Sequence, residues 1–105
     1  MNNQVNEYTK LIKSNTKVLR SNYKVKNLGI FGSVVRNEQT EKSDVDILIE
    51  FSESVGLFHF IKLKNFLSTI LNHKVDLIQK GALDRNQKKR PGMKERVLKE
   101  MIPIL

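Results

Sequence analysis

The sequence predicts an α/β (α+β) fold in which helices pack on one small sheet, and three observations lead to this prediction. Short apolar runs alternate along the chain with segments of helical periodicity, an order typical of layered α/β and α+β proteins. The length of 105 residues suits one domain, which we expect to span residues 1–105. Hydrophobic residues make up 39% of the chain and charged residues 29%, an ordinary balance for a globular protein.

The first half of the chain contains two predicted strands. Apolar residues recur at helical spacing between lysines in residues 3–20, which predicts an amphipathic helix there. The apolar run Val25–Phe31 predicts a strand that a Gly-Ser pair ends, and a short helical turn over Ser33–Asn37 follows. After a polar loop, Val45–Phe51 is the strongest predicted strand, because it is rich in Ile and Val.

The second half of the chain continues the alternation. A long helix is predicted over residues 57–71, a third strand over Lys74–Gln79 and a final helix over Met93–Met101, which Pro103 stops. In the long helix, the apolar stripe expected to face the sheet consists of Leu57, Phe60, Ile61, Leu67 and Ile70. Outside that stripe lie Phe58, Leu63 and Phe66. These three predict either an interface with a second chain, including a copy of this one, or cover by the final helix.

The composition restricts the classes of function. The net charge is +8, which favours anionic partners such as nucleotides, RNA or an acidic protein. The chain has no cysteine, so disulfides and thiolate metal sites are excluded. A polar start and the lack of a long apolar run predict neither a signal peptide nor a membrane span, and we expect a cytoplasmic protein. Aromatic residues do not cluster with basic ones, which argues against nucleic acid as a direct ligand.

Two aspartates open the strongest strand. Side chains alternate along a strand, so Asp44, Asp46 and Leu48 point to one side while Val45, Ile47 and Ile49 point to the other. The Cα atoms of the two aspartates stand roughly 6 to 7 Å apart. Two carboxylates at this spacing repel each other unless a divalent cation sits between them, and Mg²⁺ prefers such oxygen ligands. Alone, the pair is more often a solvated strand entry, and Asp44 can also cap a turn.

Two further features strengthen the metal interpretation. Gly32 and Ser33 end a strand and open a helical turn, a geometry that lets backbone N–H groups approach a phosphate closely. A third acid, Asp76, lies in the short apolar stretch KVDLI. If that strand neighbours the strand of Asp46, three carboxylates converge beside the turn. Such a set suits metal-assisted phosphoryl or nucleotidyl transfer.

The chain resembles the minimal nucleotidyltransferases of the DNA polymerase β-type nucleotidyltransferase superfamily. The resemblance rests on a Gly-Ser pair, ten residues and then DVD, on the later KVDLI, and on the tail MKERVLKEMIPIL. It implies an αβαβαβα core around a small mixed sheet. It also implies transfer of a nucleoside monophosphate, usually from ATP, to an acceptor hydroxyl with release of pyrophosphate.

The resemblance implies a role for each matching residue. Gly32 and Ser33 would bind the β- and γ-phosphates, and Arg36 would contact phosphate or stabilise the loop. Asp44 and Asp46 would bind two Mg²⁺ ions. Asp76 would hold the catalytic ion and help to deprotonate the acceptor hydroxyl.

One departure from the family pattern follows Arg36. The family often has Gly at this point, whereas this chain has Asn37. Asn tolerates a left-handed backbone better than most residues, so we expect the turn to be kept.

Larger relatives carry an extra domain that binds the acceptor. In this chain of 105 residues we expect a second protein to provide the acceptor site, and the resemblance suggests which kind of protein it is. Minimal nucleotidyltransferases are commonly paired with a HEPN-domain protein, the transferase acting as antitoxin and the HEPN ribonuclease as toxin. The implied acceptor is a hydroxyl of that HEPN toxin, in particular a tyrosine. A homo-oligomer is a further possible assembly.

Other functions stay open at the level of sequence. One is modification of a small molecule such as an aminoglycoside, and another is a non-catalytic module that binds nucleotide and metal. A third is an RNA- or DNA-binding protein driven by the charge of +8, whose affinity would fall steeply with salt and would not need the aspartates.

Several reactive side chains are interpreted as structural. His59 and His73 are expected to be structural or solvated residues rather than general bases. Tyr8 and Tyr23 are expected in the core or at the surface, and Phe51, Phe58, Phe60 and Phe66 in the core. The basic run Lys88, Lys89 and Arg90 is expected to be a solvated loop rather than a binding site.

Overall fold

A computed structural model describes residues 2–85 and 91–105. Its helices are α1 (Asn3–Lys13), α2 (Thr16–Ser21), α3 (Leu57–Leu71), α4 (Lys80–Arg85) and α5 (Met93–Glu100). Its strands are β1 (Val25–Phe31), β2 (Val45–Phe51), β3 (Val75–Gln79) and β4 (Ile102–Pro103). A single 3-10 turn, Gly32–Val34, follows β1. The predicted α/β class with a small mixed sheet is therefore confirmed.

The sheet has four strands in the order β3-β2-β1-β4. β2 pairs with β1 antiparallel and with β3 parallel, and β4 pairs with β1 antiparallel. The parallel pair needs a crossover, which α3 provides, as is usual for such a connection. This order places the start of β2, the start of β3 and the end of β1 side by side.

One face of the sheet carries the main hydrophobic core. Here α1, α2 and α3 contribute apolar side chains that pack against the inward residues of the strands, including Val45, Ile47 and Ile49. No polar or charged residue in ranges 2–85 and 91–105 is fully buried. The core can exclude water without satisfying polar side chains, because all its buried members are apolar or, like Tyr8, mostly so.

The opposite face carries a smaller apolar cluster. Its buried members are Phe31, Leu48, Leu83 and Val97, contributed by two strands and by α4 and α5. Leu48 thus lies on the other side of the sheet from Ile47 and Ile49, as the alternation in the sequence predicts. Asp46 of β2 lies on this second face, two residues before Leu48.

The predicted helix over residues 3–20 is wrong in one respect, because it is broken into α1 and α2. The break lies at Ser14 and Asn15, whose side chains donate to the carbonyl oxygens of Lys10 (2.8 Å) and Leu11 (2.8 Å). Short polar side chains that bond to backbone carbonyls compete with the regular helix pattern. The apolar residues still reach the core, since Tyr8 and Leu19 are both buried.

The predicted orientation of α3 is wrong in part. Leu67 is buried and Phe60 and Ile70 pack against the core as expected, but Leu57 and Ile61 are exposed. Leu63 is fully buried and packs in the main core together with Leu67 and Leu71. Leu57 and Phe58, by contrast, are 70% and 81% exposed, because the first turn of α3 lies outside the core. Phe58, Leu63 and Phe66 therefore do not form one exposed surface, and the predicted interface is wrong.

Phe66 and Phe58 have different surroundings. Phe66 is half-buried against the core, and its ring stacks on that of Tyr23 at a centroid distance of 4.9 Å. Cover for α3 comes from α1 rather than from the final helix, which packs on the other face of the sheet. The expectation that Phe58 is a core residue is wrong, whereas Phe51 is buried and Phe60 packs against the core.

Two short elements were absent from the sequence-based prediction. α4 begins directly at the end of β3, and β4 adds two residues to the edge of β1 after α5. Lys88, Lys89 and Arg90 lie outside the described residues. Within the described ranges, no helix is both long enough and apolar enough to cross a membrane.

Candidate active site

The three candidate acids lie at one end of the sheet. Asp46 pairs in register with Asp76 across the parallel strands, and on its other side it pairs with Phe31, the last residue of β1. The conditional prediction that the strand of Asp76 neighbours the strand of Asp46 is confirmed. Asp44 and Asp46 are half-buried, and Asp76 is exposed. The site is therefore open to solvent on the side of β3.

Gly32 is required by two features of its surroundings. Its φ of +80° lies in the region that side chains disfavour. A Cβ atom at this position would overlap the carboxylate oxygen Oδ2 of Asp46. The turn after β1 therefore approaches the aspartate so closely that only glycine fits between them.

The turn itself is closed by backbone hydrogen bonds. The N–H groups of Val35 and Arg36 donate to the carbonyl oxygen of Gly32 at 3.1 and 3.2 Å, and that of Glu38 donates to Ser33 at 2.9 Å. None of these closing bonds uses the N–H of Ser33 or Val34. Asn37 has a φ of +59°, so it takes the left-handed conformation that the sequence analysis expected.

The surroundings of Asp46 disfavour its negative charge. Burial, the negative charge of Asp76, a hydrogen bond with Asp76 and the charge of Asp44 together raise the pKa of Asp46 to about 6, while Arg36 opposes the shift. Desolvation and like charges both disfavour the ionised carboxylate. The fold thus holds a carboxylate where its negative charge is unfavourable.

The three aspartates are the candidate ligands of a metal ion. In the described ranges, no three His, Cys, Asp or Glu side chains already surround one point. The three aspartates nevertheless act on one another strongly enough to shift a pKa, and all their donors are carboxylate oxygens. Such ligands suit a hard divalent cation such as Mg²⁺, whose charge would offset their repulsion. The residues therefore fit Mg²⁺ in donor chemistry.

Arg36 lies at the rim of the site and is bound to two carboxylates. Its Nε donates to Glu38 at 3.0 Å and its Nη1 to Glu100 at 2.7 Å. The hydrogen bonds to Glu38 and then Glu100 raise the pKa of Arg36. The side chain therefore remains cationic and is held in place at the end of the turn.

Glu100 was missed by the sequence analysis. It is the last residue of α5, and its Oε1 also accepts the N–H of Gly32 at 2.5 Å. Nothing in the sequence separates this glutamate from the other acids of a polar helix, because its two donors lie 68 and 64 residues earlier.

His73 connects the two strand starts that carry the acids. Its Nε2 donates to the carbonyl oxygen of Ser43 at 2.5 Å, and the N–H of Val45 donates to Lys74 at 2.8 Å. His59 donates from Nε2 to Tyr23 at 2.7 Å, far from the acids in the chain. Both histidines thus make backbone contacts, in agreement with the expectation that they are structural or solvated residues.

Comparisons with known proteins agree with this geometry. The family model described as "Nucleotidyltransferase domain" matches residues 12–104. MJ0128 of Methanocaldococcus jannaschii, provisionally named a protein adenylyltransferase, is 43% identical over 100 residues, which cover 95% of this chain and 97% of that protein. Protein adenylyltransferase MntA of Thermococcus cleftensis is 37% identical over 98 residues, with 93% of each chain covered.

Solved structures share the same fold. One, described provisionally as a minimal nucleotidyltransferase, superposes with a TM-score of 0.68 at 30% identity and covers 90% of this chain and 94% of its own. A toxin–antitoxin structure with AMP-PNP has a TM-score of 0.68 at 22% identity, covering 92% and 72%. A tri-AMPylated Shewanella oneidensis HEPN toxin in complex with MNT antitoxin gives 0.61 at 19%, covering 93% and 71%. At the identities of the last two, the likeness establishes the fold.

Proposed function

The chain belongs to the nucleotidyltransferase domain family and is a nucleotidyltransferase, and from this premise we propose that it is a protein adenylyltransferase. It transfers AMP from ATP to a hydroxyl of a partner protein, and the acceptor is a tyrosine of a HEPN-domain toxin. The observation that carries the proposal is the position of Asp46, which lies against Gly32 and between the charges of Asp44 and Asp76.

The reaction requires an in-line displacement at the α-phosphorus of ATP. The acceptor oxygen forms a bond to this phosphorus, the bond to the bridging oxygen of the β-phosphate breaks, and pyrophosphate leaves with that electron pair. Asp44 and Asp46 would hold two Mg²⁺ ions, with Asp76 on the catalytic one. Bound Mg²⁺ offsets the charge that develops on the attacking and leaving oxygens. Asp76 is exposed, so its carboxylate can receive the proton of an incoming hydroxyl.

The triphosphate is proposed to bind at the turn after β1. The resemblance implies that Gly32 and Ser33 bind phosphate, but the N–H of Gly32 donates to Glu100. The N–H groups of Ser33 and Val34 are not used to close the turn, so these two can donate to phosphate oxygens. Arg36 donates to carboxylates through Nε and Nη1. A guanidinium has five N–H groups, so three remain that can contact the β- or γ-phosphate.

The proposal of a HEPN partner is supported by the relatives. The complexes that share this fold pair an MNT antitoxin with a HEPN toxin, and one of those toxins is AMPylated. The net charge of +8 on this chain would speed its encounter with an acidic partner surface. A second copy of this chain remains a further possible partner.

The proposal is tested by transfer of label from ATP to a HEPN-domain protein of the same organism, sought first among the products of the neighbouring genes. ATP labelled at the α-phosphate should label the HEPN protein in the presence of Mg²⁺, whereas ATP labelled at the γ-phosphate should not. Removal of Mg²⁺ with a chelator, or replacement of the acceptor tyrosine by phenylalanine, should abolish the label.

A matched pair of variants separates the site from general charge effects. Asp46→Asn should abolish transfer. Glu50→Gln should leave it unchanged, because Glu50 lies four residues further along the same face of β2 and hydrogen-bonds to Asn27. Equal labelling by both variants would contradict the proposal. Label on a small molecule with none on protein would favour antibiotic-type transfer, and nucleotide binding without any transfer would favour a non-catalytic module.

A further inference from the structure

Glu100 joins the last turn of α5 to the turn that follows β1. One carboxylate oxygen, Oε1, accepts from the N–H of Gly32 at 2.5 Å and from Nη1 of Arg36 at 2.7 Å. The Glu100 side chain is only 15% exposed. A mostly buried carboxylate thus binds both a backbone group of the proposed phosphate turn and the cation at its rim.

The local preferences of α5 do not explain this glutamate. Glu100 is the last residue of the helix, where the helix dipole disfavours a negative charge. Burial disfavours that charge as well. Contacts with Gly32 and Arg36 compensate for both, so the reason for a glutamate here lies in the tertiary contact.

The backbone around Glu100 is held in place on the sheet. The next residue, Met101, lies against Gly29 of β1 so closely that a Cβ there would come within 2.6 Å of the Met101 Cγ. Ile102 then pairs with Ile30 as part of β4. The backbone next to Glu100 is therefore fixed on β1, and the Glu100 carboxylate restrains the turn after β1 through its bond to Gly32.

We propose that Glu100 is a positioning residue for nucleotide binding, an inference that rests on the proposed function. It holds the guanidinium of Arg36 toward the triphosphate and fixes the N–H of Gly32, so that the following N–H groups of Ser33 and Val34 face the phosphates. Glu100 itself does not touch the nucleotide. Its effect on affinity passes through Arg36 and the turn.

The test measures binding of AMP-PNP with Mg²⁺ by calorimetry, so that no acceptor protein is needed. Glu100→Gln keeps the shape and one acceptor but removes the charge, and Glu100→Ala removes both. We expect a dissociation constant about tenfold higher for Glu100→Ala and a smaller increase for Glu100→Gln, as for loss of a charged hydrogen bond. Glu95→Gln, an exposed acid on the same helix, makes the same change in net charge and should bind like the wild type.

A double-mutant cycle distinguishes positioning from a general loss of structure. Arg36→Ala alone should weaken binding, and Glu100→Ala added to it should raise the dissociation constant less than it does in the wild type, because only the contact with Gly32 is then left to lose. Additive effects would overturn the inference, because Glu100 would then act independently of Arg36. Unchanged or tighter binding by the Glu100 variants would also overturn it, while leaving the proposed function intact. A wild type that binds no nucleotide would overturn both.

Discussion

The two faces of the sheet differ in what they bury. On the face covered by α1, α2 and α3, a continuous apolar cluster extends from Val5 on the first helix to Ile104 near the end of the chain. On the face covered by α4 and α5, the apolar cluster has four buried members among residues 2–85 and 91–105, and beside them lie the carboxylates of Asp46 and Glu100. The first face buries apolar side chains, and the second also includes charged side chains whose burial is unfavourable.

This difference indicates that one face of the sheet mainly provides stability and the other carries the candidate active site. The apolar face contributes most of the stability, since buried apolar area is the dominant favourable contribution to folding. The other face tolerates an aspartate whose pKa is raised to about 6, a shift that is typical of functional sites. Substitutions on the two faces should therefore differ in their effects on stability and on function.

The largest effect is expected on the apolar face. Leu63→Ala removes a fully buried side chain from the main core and should lower the free energy of unfolding by about 2 to 5 kcal/mol. Urea unfolding of the variant and the wild type measures this difference. Nucleotide affinity should be unchanged under conditions where the variant is folded. A loss below about 0.5 kcal/mol, the range typical of surface positions, would mean that Leu63 faces solvent.

A smaller loss of stability, with a complete loss of function, is expected for Gly32→Ala. The positive φ of Gly32 and the overlap with the Asp46 carboxylate both oppose a side chain, and the strained backbone costs on the order of 1 to 3 kcal/mol. AMP transfer should disappear because the turn and the aspartate are forced apart. As a control, Gly56→Ala adds a methyl group where no atom lies within 4 Å. Transfer by Gly32→Ala equal to that by Gly56→Ala would contradict the prediction.

The raised pKa of Asp46 predicts a pH dependence of stability in metal-free buffer. The folded protein binds a proton at Asp46 up to about pH 6, whereas in the unfolded chain the pKa is near its model value of 3.8. Because the folded state binds more protons in this window, the contribution of Asp46 to stability falls as the pH rises from about 4 to 6 and stays low above it. Asp46→Asn should remove this part of the pH dependence.

Unfolding of both proteins over this pH range isolates the contribution of Asp46. The difference in unfolding free energy between Asp46→Asn and the wild type should grow in favour of the variant as the pH rises. A difference that is constant with pH, or that moves in favour of the wild type as the pH rises, would show that the carboxylate is not disfavoured by its surroundings.

The smallest effect is expected for Phe58→Ser at the exposed first turn of α3. Phe58 is 81% exposed, so the free energy of unfolding should change by no more than about 0.5 kcal/mol. Phe60→Ser, two residues later on a side chain that packs against the core, is the comparison and should cost more. Equal losses for the two variants would mean that Phe58 is covered in solution.

The strands and the acids could be predicted from sequence because their signals are local. Val25–Phe31 and Val45–Phe51 have the bounds that their apolar runs indicate, and the alternation along β2 places Asp46 on the face opposite Ile47. The break between α1 and α2 could have been anticipated from the run of Ser14 and Asn15, which are poor inside helices. The apolar periodicity on both sides of Ser14 and Asn15 nevertheless favours one continuous helix, which is why the break was not predicted.

Other features could not be predicted because they depend on distant contacts. β4 is only two residues long and exists because it pairs with β1, so its own sequence has no strand signal. The orientation of α3 depends on which of several apolar stripes meets α1, and Leu63, Leu67 and Leu71 at a spacing of four form the stripe that does. Glu100 acquires its role only when the end of α5 meets Gly32.

We expect the carboxylate of Asp46 to lower the stability of the folded protein and to be required for AMP transfer. The variant Asp46→Asn tests both expectations together. Asp46→Asn should abolish AMP transfer while its free energy of unfolding at neutral pH, without metal, equals or exceeds that of the wild type. The gain is expected because a neutral side chain replaces a carboxylate that burial and the charges of Asp76 and Asp44 disfavour. Glu50→Gln on the same face is the control and should retain transfer. An Asp46→Asn protein that is less stable than the wild type, or that still transfers AMP, would contradict the account.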